Sequence, residues 1–442
     1  MSKTTRRTFL KATAAAPVLM MAGRAPAAAP GASGALAPEE TTSRIQKHRT
    51  AEVTLTVTGA DGKPAADKAV TVEMVRHRFL FGCNIFKLRP EDASDDQKAY
   101  QKRFEELLNY ATLPFYWGAF EREEGKPDTD RLRAMAQWCR DHGIHTKGHP
   151  LCWHQVDPKW LAGKSLDDVK ALQLGRITRD VKAFAGLIDR WDVVNEAVVM
   201  PTYRIETNPI AQLCKKLTPL ELIKETFAAA RAAGPKATLL LNDFDTSAKY
   251  EALIKDCLAA GVPIDVIGIQ SHQHGSFWGG QRAYDVCERF ARFGKPLHFT
   301  ETTIISGEKK ANMDWQGRYT DWPSTPEGEA RQAQQVAEFY RTLFSHPAVH
   351  GITWWDFSDA GAWLGAPSGF LRKDMSPKPA YEALMKMVKG EWWTAPATLK
   401  TDGEGKVKFR GFLGSYSVAC GPARGTVDLD QAGAASLAVQ VK

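Results

Sequence analysis

Two glutamates leave apolar runs in the same manner: Trp191-Asp192-Val193-Val194-Asn195-Glu196 and His298-Phe299-Thr300-Glu301 each end on a carboxylate. Carboxyl groups on facing strands can share a displacement at a sugar's anomeric carbon. One, protonated, assists the leaving oxygen while the other, ionised, attacks the carbon, and retention of configuration needs a separation of roughly 5 to 5.5 Å. Rings that could stack on the C–H faces of sugars are plentiful, since Trp153, Trp278, Trp315, Trp322, Trp354, Trp355 and Trp363 fall in or near predicted loops. Further polar residues end other apolar runs: Cys83-Asn84, His149 with Trp153-His154, Asn242-Asp243, Gln270 with His272 and His274, and Trp355-Asp356.

The elements that must position these groups are legible as alternation. Apolar runs at Phe79–Ile85, Tyr110–Phe115, Ile144–His149, Arg190–Asn195, Thr238–Asn242, Val266–Gln270, Leu297–Thr300 and Gly351–Trp355 are interleaved with helical stretches. The stretches are Asp130–His142, Val169–Ala185, Leu220–Ala233, Glu251–Ala260, Ala283–Phe293 and Glu329–Ser345. Strands alternating with helices at this spacing predict an α/β fold, a (β/α)8 TIM barrel, in which βα loops at the C-terminal strand ends build the site. Glu196 and Glu301 then follow the fourth and seventh strands. An open doubly wound sheet is disfavoured because no glycine-rich nucleotide loop follows the first strand.

Outside the barrel the periodicity changes to two. Val53, Leu55 and Val57 alternate with threonines, a turn-forming Gly59-Ala60-Asp61-Gly62-Lys63-Pro64 follows, and Val70, Val72 and Met74 resume the alternation as half of a small antiparallel sheet. Similar strands return after Thr401, and isolated hairpins are marginal, so both ends are expected to form one accessory β module. In that module Phe409, Phe412 and Tyr416 alternate as a core face does.

The chain has 442 residues, 43% hydrophobic and 25% charged, which excludes disordered, collagenous and coiled-coil classes. Its net charge of +7 belongs largely to residues 1–30. There Lys3, Arg6, Arg7, Lys11 and Arg24 precede or flank an alanine-rich apolar stretch too short to span a bilayer, in the pattern of a cleaved twin-arginine export signal. Beyond it, 53 basic residues face 51 acidic ones, a balance of +2 that makes no electrostatic case for nucleic acid. Seven cysteines without a CxxC pair support neither a zinc ribbon nor a disulfide framework. The expected organisation is an export signal at 1–30, a tether at 31–48, an N-terminal β segment at 49–76, the barrel at 77–393, and a C-terminal β segment at 394–442 packed on the first. The expected location is periplasmic or secreted.

Six stretches, in order, resemble the strand-end motifs of glycoside hydrolase family 10, the xylanase family. They are Lys147-Gly148-His149-Pro150-Leu151-Cys152-Trp153-His154, Trp191 to Glu196, Asn242-Asp243, Gly268-Ile269-Gln270-Ser271-His272, Thr300-Glu301 and Gly351-Ile352-Thr353-Trp354-Trp355. The flanking β segments, including Arg410 to Tyr416, resemble those of plant-type members. The resemblance implies a retaining enzyme acting on β-1,4-linked xylose polymers, with no metal or cofactor. It implies Glu196 as acid/base, Glu301 as nucleophile, Asn195 as the partner of the sugar 2-hydroxyl, and His149, Trp153, Gln270, His272, Trp355 and Trp363 as subsite walls. The expected partner is a β-linked polysaccharide or oligosaccharide. Neither nucleic acid nor, after processing, a membrane is expected, and the protein is expected to be a monomer.

Two stretches depart from the family pattern. Its Asn-Glu-x-Lys glycone motif aligns here with Leu113-Pro114-Phe115-Tyr116, which places Tyr116 at the substrate and predicts an altered glycone preference. Its Thr-Glu-Leu-Asp becomes Thr300-Glu301-Thr302-Thr303, so a hydroxyl replaces the carboxylate that orients the histidine matching His272. A second reading therefore keeps the fold and assigns a β-glycosidase for a different or substituted glycoside, exo-acting. A metal hydrolase built on His272-x-His274, His149, His154 and Asp356, and a non-catalytic sugar-binding barrel, are the remaining alternatives.

Overall fold

A parallel strand covered on both faces is apolar wherever its polar groups lack buried partners, as in the Leu239-Leu240-Leu241 run. The computed structural model describes residues 36–310 and 312–442, so the export signal read at 1–30 lies outside the described residues. Strands β1 (Thr50–Thr58) and β2 (Ala69–His77) precede β3 (Leu80–Asn84), β4 (Tyr110–Pro114), β5 (His145–His149), β6 (Arg190–Asn195), β7 (Thr238–Asp243), β8 (Val266–Gln273), β9 (Leu297–Ile304) and β10 (Val349–Trp354). The eight from β3 to β10 pair in parallel and in chain order, and β10 closes on β3 as a barrel. The TIM barrel expected from the alternation is thus present.

Helices lie between and around the strands: α1 (Pro38–Arg49), α2 (Asp95–Leu107), α3 (Trp117–Phe120), α4 (Thr129–Asp141), α5 (Leu166–Ala183), α6 (Pro209–Leu217), α7 (Pro219–Ala233), α8 (Ala248–Ala259), α9 (Gly279–Ala291), α10 (Pro326–Ser345) and α11 (Pro379–Lys386). Their starts follow local chemistry. Ser165 accepts from the Asp168 N–H, Asn208 from that of Ala211 and Thr325 from that of Gly328, and prolines open α6, α7, α10 and α11. The sequence reading missed α2. Its apolar stripe is only Tyr100, Phe104 and Leu107 in an otherwise polar stretch, so most of its turn-to-turn surface faces water.

The tether expected at 31–48 is corrected over its second part, where α1 begins at Pro38. Acidic Glu39 and Glu40 occupy the first turn and Lys47, His48 and Arg49 the last, complementing the helix dipole. Arg49 is buried, and its guanidinium donates to the carbonyls of Phe344, His346 and Val349 at 2.6 to 2.7 Å, tying this helix to the end of α10 and the start of β10.

Strands β11 (Ala397–Lys400), β12 (Lys406–Phe412), β13 (Gly414–Cys420), β14 (Ala423–Leu429) and β15 (Gly433–Gln440) complete the accessory module. Both chain ends build it, as expected, but β1 and β2 are not a hairpin. β1 lies between β12 and β15, parallel to the latter, and β2 between β11 and β13. The apolar faces of both strands enter one core with Val407, Phe412, Tyr416 and Val418, which two sheets accomplish and a single two-stranded ribbon does not. All seven cysteines are free and six are buried.

Candidate active site

Glu196 and Glu301 reach the barrel mouth through backbone irregularities. Opposite β8, Ile269 pairs with Phe299 but Gln270 with Glu301, so Thr300 is an extra residue, a bulge that turns both Thr300 and Glu301 toward the same neighbour. The strand continues past it to Ile304, and β8 continues to Gln273, beyond the ends expected at Thr300 and Gln270. Glu196 follows β6 at φ +58°, a conformation strained for a residue with a Cβ, and its N–H donates to the Asn242 carbonyl at 2.8 Å.

A chain of amides joins the two carboxyls. Asn242 Nδ2 donates to Asn195 Oδ1 at 2.7 Å and to Glu301 Oε1 at 2.8 Å, and its own Oδ1 accepts from the Thr300 hydroxyl at 2.5 Å. Gln270 Nε2 donates to Asn195 Oδ1 at 3.2 Å and to Glu196 Oε1 at 3.1 Å, while Trp153 Nε1 donates to Glu196 Oε2 at 2.9 Å. Room for Asn242 comes from Gly268 on the next strand, because a Cβ there would stand 2.4 Å from the Asn242 side-chain oxygen. Similarly, a Cβ on Gly148 would lie 2.2 Å from the Trp191 ring, which packs against Phe115 and Phe184 on the outer face of the strands.

The imidazoles are fixed by their second nitrogens. His149 Nδ1 lies 2.7 Å from Asp192 Oδ2, and the same oxygen is 2.6 Å from Lys147 Nζ; both Asp192 and Lys147 are fully buried. His149 Nε2 stands 3.9 Å from Glu301 Oε1. His272 Nε2 lies 3.2 Å from Glu301 Oε2 and its Nδ1 2.9 Å from the Thr303 hydroxyl. One neutral tautomer satisfies both contacts: Nε2–H donates to the carboxyl and Thr303 donates to Nδ1.

Rings form the walls. Trp355 is edge-on to His149, His272 and Phe86 at 5.3 to 5.7 Å, and Trp363 lies 4.6 Å from His272. Tyr116 packs edge-on to His149 at 5.5 Å and against Trp153 at 5.4 Å, so it enters the site, whereas Leu113 and Phe115 are buried in the core. The other tryptophans divide: Trp278 and Trp354 are core, Trp322 packs in a small separate cluster, and Trp315 is exposed. All ten residues named from the sequence as site candidates thus converge on one mouth. Asn242 and Thr300 were marked only as strand-end residues, and their bridging role becomes visible only in the folded register.

Burial separates the roles electrostatically. Desolvation, and then repulsion from Glu301, raises the Glu196 carboxyl from its ordinary range to about 8, although Trp153 and Gln270 donate to it. Burial likewise raises Asp243 to about 7, and its oxygens accept the backbone N–H groups of Val198 and Asp245, bracing the segment after Glu196. Asp192 stays below the ordinary range despite burial, because Lys147 and His149 face it. The result is one carboxyl whose pKa is raised by burial and by its neighbour, beside a second carboxyl that accepts from Asn242 and His272, an arrangement that could serve an acid and a nucleophile.

Known proteins share this architecture. The structure of xylanase 10B from Thermotoga petrophila RKU-1 in complex with xylobiose superposes with a TM-score of 0.59 at 22% identity over 71% of this chain and 95% of that one, a likeness of fold. The anti-sigma-I factor RsgI6 of Acetivibrio thermocellus is 25% identical over 391 residues, 86% of this chain and 46% of that protein. A beta-1,4-xylanase of Dictyoglomus thermophilum is 30% identical over 239 residues, 52% of this chain and 65% of that one. The chain thus spans less than two thirds of the length of either curated relative. The family model for glycosyl hydrolase family 10 matches residues 71–387, from β2 through α11 and including both glutamates, and the chain belongs to that family.

Proposed function

We propose that the protein hydrolyses β-1,4-xylosidic bonds in xylan with retention of configuration. One observation carries the reading: Glu196 and Glu301 meet at one barrel mouth, joined through Gln270, Asn195 and Asn242, with burial and the Glu301 charge raising the Glu196 carboxyl while Glu301 accepts from Asn242 and His272. In the first step a Glu301 oxygen bonds to the anomeric carbon as the carbon–oxygen bond to the leaving sugar breaks, and Glu196 gives its proton to that oxygen. Glu301 is then a neutral ester, the repulsion on Glu196 disappears and its pKa falls. Glu196 can now take a proton from water as the water oxygen bonds to the anomeric carbon, releasing Glu301 and the sugar. Asn195, bonded to Asn242 and Gln270, is set to meet the 2-hydroxyl, and His149, Trp153, Trp355, Trp363 and Tyr116 enclose the ring.

Xylanases among the relatives support xylan over other glycans. Export by the twin-arginine route to the periplasm or the exterior, and a monomeric state, complete this reading. The test is proton NMR of the first product formed from xylan. The β-anomer is expected, with loss of turnover in Glu301→Gln; the α-anomer as first product would refute the double displacement.

A further inference from the structure

The opposite end of the barrel holds a second cluster of chemistry that catalysis does not use. A cavity of about 660 Å³ lies between the N-terminal ends of the barrel strands and the accessory module. His145 and Arg190 open β5 and β6, His298 and His350 are second in β9 and β10, and Arg76 and Arg78 descend from the module, all of them lining the cavity.

The carboxylates on its wall are already engaged. Asp430 is taken by Arg78, Asp428 accepts from Ser415 Oγ at 2.6 Å, and Asp265 accepts from Arg231 at 2.5 Å and from the Leu239 N–H at 2.8 Å. Arg49 is committed to three backbone carbonyls. What remains is rich in donors, two of them guanidiniums, and under-used. Among the described residues, the only hydrogen bond of the Arg76 guanidinium is to the Gly143 carbonyl at 3.5 Å, and that of Arg190 is to the exposed Asp189 at 3.4 Å, the Arg190 group also lying 5.9 Å from the Tyr110 ring centre. His298 is 4% exposed and its Nδ1 has no partner.

The groups also sense one another. Besides burial, Arg190, His350 and Lys147 hold the His298 ring well below its ordinary pKa. Burial with Arg190 and Arg76 lowers His145 to about 4, and burial with Arg49 and Arg78 lowers His350 to about 4. A cavity whose donors repel further positive charge and whose acids are spent lacks an anion.

We propose that this cavity binds a small oxyanion of the phosphate class, held by Arg190 and Arg76 with His298, His145 and His350 as further donors, and that the bound anion clamps the accessory module to the barrel floor. A bidentate guanidinium contact with such an anion is among the stronger polar contacts available to a protein.

Titration calorimetry of the full chain with inorganic phosphate, against sodium chloride of matched ionic strength, tests it. One saturable site is expected, with a melting temperature that climbs with phosphate concentration. Arg190→Gln and Arg76→Gln should each weaken binding roughly fivefold or more, whereas Arg424→Gln, exposed on β14, should not. Heats equal to those of chloride would overturn the proposal. So would wild-type affinity in both cavity variants when circular dichroism shows them folded; should Arg190→Gln not fold, Arg76→Gln decides.

Discussion

Asn242 Nδ2 lies 2.8 Å from Glu301 Oε1, and this contact couples the Glu301 carboxyl to the rest of the site, because the same amide holds Asn195 and is itself held by Thr300. Removing it leaves the Glu301 carboxyl held only by His272 at Oε2 and the Thr300 hydroxyl without its acceptor. Hydrogen bonds to charged groups contribute about 1.5 to 3 kcal/mol. Asn242→Ala should therefore lower kcat on an aryl β-xyloside about 10- to 100-fold, with KM changing far less, and steady-state kinetics on folded variant protein will show whether it does.

The raised pKa of Glu196 has consequences for both activity and stability. Because the proposed first step needs this group protonated in the free enzyme, kcat/KM should fall along an alkaline limb centred near pH 8. For stability, the unfolded chain loses this proton near the ordinary value of 4.5 whereas the folded chain keeps it to about 8. The stabilisation is thus complete below 4.5 and drains away as pH rises toward 8. Glu196→Gln cannot ionise, so its melting temperature should exceed that of the wild type by a few degrees at pH 8.5 and match it near pH 4.5. Scanning calorimetry at the two pH values measures the difference.

These groups were visible in the sequence to different degrees. The strand Arg190–Asn195 was legible to the residue because Trp191, Val193 and Val194 form a short apolar run, and Glu196 stood out as the first charge after it. Glu301 was legible as a residue but not in its setting. The bulge at Thr300 arises from the register between β8 and β9, and no local pattern encodes a register shift. The split of β1 and β2 into different sheets was hidden for the same reason, since alternation reports which face is buried but not which strand lies alongside. Helix α1 escaped notice because its anchor, Arg49, reads as a solvated charge until the carbonyls of Phe344, His346 and Val349 are brought to it.

Asp192 is expected to matter for the fold as much as for the site. It is fully buried between Lys147 Nζ at 2.6 Å and His149 Nδ1 at 2.7 Å. Asp192→Asn keeps the shape but leaves the Lys147 ammonium facing a neutral amide in a site without solvent. Breaking one side of a buried pair costs about 3 to 5 kcal/mol. A fall of that size in chemical-denaturation stability is expected, with a smaller loss in the double variant Asp192→Asn with Lys147→Met, where no unpaired charge remains. Equal losses in the two would mean that shape, not charge, is what Asp192 supplies.

Tyr116 stands where the family pattern has a lysine, and its ring closes the wall beside His149 and Trp153. Burial, with the charges of Glu301 and Glu196 adding to it, pushes its phenol well above the ordinary value, so the hydroxyl remains a donor throughout the working pH range. Among the described residues nothing accepts from it. A phenol donor in place of an ammonium offers a sugar one directed hydrogen bond instead of a full charge. Tyr116→Phe should therefore raise KM for short xylo-oligosaccharides by about 2- to 10-fold with kcat nearly unchanged, the scale of one neutral hydrogen bond. Tyr116→Ala removes the wall as well, lets the His149 and Trp153 rings move, and should lower kcat too. If Tyr116→Phe matches the wild type on every chain length while Tyr116→Ala does not, the ring packs the site and the hydroxyl does not touch the substrate.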